Sequence, residues 1–191
     1  MESIYDRNLQ SILQLPPRKR NRAVSILRWA TFAICPLTID QLSEALIIDR
    51  DVGDLAVDQL PNVVDDDYVE SEVLNLCASL IEVRPGENPS RPGSWTLDLS
   101  HFSVKEFLLS QIALEGNLFE AKPGTQLSIE EQQGVMLAKL CLCYLNYATV
   151  WEQNFGTESQ NAQGIAQYFQ RPFITYAANY WHLHVPDHDF V

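Results

Sequence analysis

A few imidazoles, carboxylates and thiols are the groups through which this chain could do chemistry. Asp98, Ser100 and His101 stand almost adjacent, and they carry the three group types of nucleophilic acyl transfer. Strand alternation puts Asp98 and Ser100 on one face and His101 on the other, whereas a triad is assembled from distant segments. His101 is therefore retained only as a catalytic candidate, in the role of hydrogen-bond donor. His182, His184 and His188, with Asp187 and Asp189, have the composition of a metal site. Residues two apart on a helix do not share a face, and Pro186 interrupts any continuation. The pattern reads as one packed and two solvated imidazoles, so no metal is expected, and His182 stays as the second catalytic candidate.

Cys35, Cys77, Cys141 and Cys143 sit inside apolar helical patterns. They read as buried thiols in a reducing compartment, most simply the cytoplasm. Only Cys141 and Cys143 are close, and a C-x-C pair on a helix points its thiols to different faces. The acidic stretch from Asp49 to Asp67 holds Asp49, Asp51, Asp54, Asp58, Asp65, Asp66 and Asp67, with Arg50 as its cation. A calcium loop needs a central glycine and a closing glutamate; here Gly53 is misplaced and no glutamate closes the loop. The aromatics Trp29, Trp95, Tyr144, Trp151, Tyr176, Tyr180 and Trp181 are the remaining candidates, as walls of an apolar ligand pocket.

The elements that must position these residues are mostly helices. "SIYDRNLQSILQL" is a short amphipathic helix stopped before Pro16-Pro17. "RKRNRAVSILRWATFAI" is a core helix with Val24, Leu27, Thr31 and Ile34 on one stripe and Ala23, Ile26, Ala30 and Ala33 beside it, ending at Cys35-Pro36. Thr38 and Gln41 form a capping box for the next helix, and a further helix is expected from about Val69 to Ser79. "LIEVRP" and "WTLDLS" are strands joined by the loop "GENPSRPGS", a hairpin too small to be stable alone. Ser103 with Glu106 forms a second capping box for a helix that buries Phe102, Val104, Phe107 and Leu108. Ser128 with Glu131 forms a third, before Met136, Leu137, Leu140, Cys141, Tyr144 and Leu145. In the last segment Phe173, Tyr176, Ala177, Tyr180, Trp181 and His184 repeat at helical spacing.

The 191 residues, 46% hydrophobic, suffice for one compact unit with a real core. The N-terminus "MESIYDRNLQ" reads as lacking a signal peptide, and no apolar run is long enough to span a bilayer. Three helices followed by a two-stranded wing is the order of a winged-helix domain. The fold expected is thus mainly α, with a winged-helix-like domain over residues 1-110 and a helical extension packed on it over 111-191. Such folds often read DNA, but the helix that would enter the major groove, "YVESEVLNLCAS", offers Glu70 and Glu72 and no cation. With a net charge of -12 the long-range field also has the wrong sign for nucleic acid or an anionic membrane. The basic cluster Arg18, Lys19, Arg20 and Arg22 caps a core helix on its solvent side. Neither nucleic acid nor membrane is expected as a partner.

The runs "LPPRKRNRAVSILRWATFAICPLTIDQLSEALII", "LDLSHFSVKEFLLS", "LAKLCLCYLNY" and "PFITYAANYWHLHV" resemble, in this order, the segment that follows the NACHT domain in fungal NOD-like receptors with ankyrin repeats. The winged-helix part of that segment is similar to a domain named for GPI inositol-deacylase. The resemblance implies a structural and regulatory connector with no catalytic residues and no cofactor. No P-loop and no ankyrin period accompany it here, so the chain reads as the connector without the domains it connects. The absence of a G-x-S-x-G elbow argues against deacylase chemistry.

Two functions follow. The first is a non-catalytic interaction module that binds a protein, or itself, through the C-terminal aromatic stripe. The alternative is a cofactor-free cyclase of fungal secondary metabolism, a pericyclase of the Diels-Alderase kind, that holds an apolar small molecule in an aromatic-lined cavity. The module should expose the stripe near Tyr180 and Trp181; the cyclase should close it around an enclosed space of at least about 300 Å³.

Overall fold

Proline, glycine and the capping side chains divide the chain much as their chemistry dictates. The computed structural model describes residues 4-86, 88-112, 119, 124-152 and 171-186. Helix α1 (Ile4–Leu13) stops ahead of Pro16, and α2 (Pro17–Phe32) begins with proline in its first turn, where the missing N–H has no helical partner to lose. Helix α2 buries Ala23, Ile26, Leu27, Trp29 and Phe32. It ends at Phe32 rather than at Cys35-Pro36, because Ala33 is already extended and Ile34 turns outward, 43% exposed.

The chain uses this early exit to reach the wing. Leu97 N–H donates to Leu37 O at 2.9 Å and Ile39 N–H to Trp95 O at 2.8 Å, with Thr38 bridged to Thr96. A third, very short strand-like pairing therefore flanks the hairpin, and its one-bridge length left no alternation to read. Thr38 then caps α3 (Ile39–Ala45) in the expected box with Gln41.

The third helix is wound in three pieces: α4 (Asp66–Val69), a π-helical turn (Glu70–Leu74) and α5 (Asn75–Cys77). Asp65 accepts from Tyr68 N–H at its start, so the helix begins earlier than the apolar pattern suggested. Ala78 follows at φ +50°, the only positive φ among described non-glycine residues, and the chain turns sharply there into β1. Asn8 and Ser100 hold the turn by bonding the hydroxyl and the carbonyl of Ser79.

Strands β1 (Ile81–Arg84) and β2 (Thr96–Leu99) pair antiparallel from Ile81 opposite Leu99 to Arg84 opposite Thr96. Glu82 faces Asp98 directly, a like-charge pair that Arg84 offsets by bridging both carboxylates. The wing loop rests on α3: Arg91 pairs with Asp40 at 2.7 Å, and a Cβ at Gly93 would strike the Asp40 carboxylate.

After the wing come α6 (Phe102–Ile112), α7 (Ile129–Asn146), α8 (Ala148–Glu152) and α9 (Pro172–Tyr180), which tightens into a 3₁₀ turn at Trp181–His184. The Ser128 and Glu131 capping box of α7 forms as expected. The Ser103 and Glu106 box does not, since α6 begins at Phe102 and leaves Ser103 inside the helix. Of its four expected core residues Val104 and Leu108 are fully buried and Phe107 packs on Tyr5, whereas Phe102, at the first helical position, is 72% exposed. Helix α9 lies across α3 and α7, and α7 in turn packs on α2. The fold is mainly α with one small hairpin, as the order of elements implied; the boundary drawn after residue 110 falls in the last turn of α6.

Candidate functional site

The aromatic residues singled out from the sequence separate into a close-packed group and three scattered tryptophans. Trp29 meets Phe173 edge-on at 5.4 Å and Tyr176 at 5.8 Å, and Tyr144 meets Phe173 at 5.1 Å. These spacings are those of rings in contact. Trp29, Tyr144 and Tyr176 are at most 2% exposed, and Tyr180 sits half-buried against Tyr176. The stripe thus faces inward and fills a core; it is not presented on an outer surface. Trp95 is anchored on the wing loop by an indole bond to Pro89 O, and Trp151 by one to Leu145 O. Trp181 lies half-buried beside His182, whose imidazole is exposed.

Inside this core is a polar knot that the sequence did not reveal. Glu44 on α3 is 2% exposed, yet its carboxylate accepts three hydrogen bonds from the other half of the molecule. Tyr144 Oη donates to Oε2 at 2.5 Å, Phe173 N–H donates to the same oxygen at 3.1 Å, and Arg171 Nη1 donates to Oε1 at 3.2 Å. Burial and the neighbouring carboxylate push the Tyr144 phenol far above its ordinary range, so it remains a donor. Arg171 is 7% exposed and its Nε has no partner. Glu44 thereby caps the start of α9 and neutralises the arginine that precedes it. Nothing in "TIDQLSEALII" marks this role, because all three partners lie at least 100 positions away.

Two further contacts fasten the C-terminal segment. Tyr176 Oη accepts from Ile34 N–H at 2.9 Å and is hydrogen-bonded to His184 Nε2 at 2.9 Å. Burial holds His184 at a pKa of about 4. On α7, Gly134 lets the chain pass: a Cβ there would stand 2.6 Å from His184 O. At the other end of α7, Asp54 accepts from the hydroxyl and the N–H of Thr149 at the start of α8, which lowers its pKa.

Between these fastenings an open groove of about 590 Å³ runs along the surface. One wall is the exit of α2 with Ile34; the other is the C-terminal turn with Leu183, and Lys105, Glu130 and Glu131 form its rim. Ile34 and Leu183 are 43% and 53% exposed, and Lys105 pairs with Glu130 at 3.3 Å across the joint of α6 and α7.

His101 stands at the start of α6 and bonds its first turn. Its Nδ1 accepts from Ser103 N–H at 3.3 Å and meets Ser103 Oγ at 2.7 Å, which places the imidazole as the N-cap of α6. Tyr5 Oη bonds the same hydroxyl at 2.9 Å and ties α1 to this start. Cys77 and Cys141 are pushed up to about 12 by burial, so neither thiol is ready to act as nucleophile or ligand. Among the described residues no group of three or more His, Cys, Asp or Glu could hold a metal ion. His188, Asp187 and Asp189 lie outside the described residues.

The helix in the DNA-reading position presents Asp66, Asp67, Glu70 and Glu72. Its neighbouring cation is occupied: Arg22 pairs with the Glu72 carboxylate, donates to the Glu72 carbonyl, and bonds Tyr68 Oη at 2.7 Å. No described helix is long and apolar enough to cross a membrane. The three helices, the wing and the short pairing of Thr38 with Thr96 define a winged-helix domain, here carrying an acidic third helix. Residues 9–119 match the family model described as "GPI inositol-deacylase, winged helix domain", and the chain belongs to that family. No curated protein and no solved structure matches it.

Proposed function

We propose that this chain is a protein-interaction module of the connector kind that fungal NOD-like receptors carry after their NACHT domain, working in a reducing, cytoplasmic setting where its four cysteines stay free. The observation that carries this reading is the acidic third helix with Arg22 already bound to Glu72 and Tyr68. A reading helix must bring donors to phosphates and base edges, and this one brings carboxylates. The aromatic stripe supports an internal joint between winged helix and extension, so both parts act as one unit whose outer faces meet the partner. The cyclase alternative needs free space between the rings of Trp29, Tyr144 and Tyr176, which are in contact with their neighbours.

Fluorescence anisotropy with a short random-sequence DNA duplex at low salt tests the exclusion. The module shows no saturable binding under these conditions. Saturable, salt-sensitive binding that Arg18→Ala and Lys19→Ala weaken would overturn the reading.

A further inference from the structure

We draw no further inference here: the strongest candidate, the exposed basic patch of Arg18 and Lys19 at the start of α2, where no side chain caps the helix, is a helix N-terminus alone, and nothing in the structure shows what covers it.

Discussion

Replacing Glu44 by glutamine removes one charge and almost no volume, so it isolates what the buried carboxylate does. Arg171 would then keep a full positive charge at 7% exposure without the carboxylate that pairs it. Stranding one member of a buried pair costs about 3–5 kcal/mol, against a total stability of about 5–15 kcal/mol for a domain. Arg171→Met alone strands Glu44 in the same way and costs a similar amount. The double variant Glu44→Gln/Arg171→Met removes both charges, and the glutamine carbonyl still accepts from Tyr144 Oη and Phe173 N–H. It should therefore cost less than either single change. Urea denaturation, read at constant slope, gives the three values. The reasoning fails if Glu44→Gln costs less than about 1 kcal/mol, or if the two single losses add to within about 0.5 kcal/mol in the double.

Other parts of the account make separate predictions. The folded-state pKa of His184, about 4, lies below its ordinary 6.5; between these values the unfolded chain binds the proton and the folded chain does not. Stability should fall as pH drops through this window, by on the order of 3 kcal/mol in all. His184→Gln should flatten the difference between neutral and mildly acidic urea midpoints; an unchanged difference would remove His184 from the account. His101→Ala should cost about 0.5–2 kcal/mol through loss of the α6 cap, and His101→Asp should restore it; thermal unfolding that ranks the aspartate variant with alanine would contradict the capping role. Gly134→Ala gains about 1 kcal/mol in helix propensity, but its Cβ stands 2.6 Å from His184 O. Overpacking of about 1–3 kcal/mol should prevail, and a raised Tm would show that the turn does not sit so close.

What the sequence made legible was local. The Thr38–Gln41 and Ser128–Glu131 boxes formed because each residue pair carries its own geometry. The Ser103–Glu106 box failed because a neighbouring side chain, His101, does the same job two residues earlier. Helical spacing correctly marked Phe173, Tyr176 and Ala177 as one face, yet periodicity cannot say whether such a face meets a partner or the chain's own core. Contact with Trp29 decided that, and it depends on tertiary packing. Glu44 stayed hidden for the same reason: a carboxylate on a short helix looks solvated until distant segments surround it. Phe102 shows the converse, an apolar residue inside a core pattern that points outward because the helix starts beneath it.

The central claim, that this winged-helix unit engages a protein and not a nucleic acid or a small substrate, is tested most directly by photo-crosslinking. A benzoylphenylalanine placed at one of the exposed positions 63, 102 and 183 is irradiated in the cells that make the protein, and adducts are sized and identified. The account predicts adducts of discrete protein mass from at least one of these positions. Adducts with nucleic acid, or with small molecules only, would contradict it.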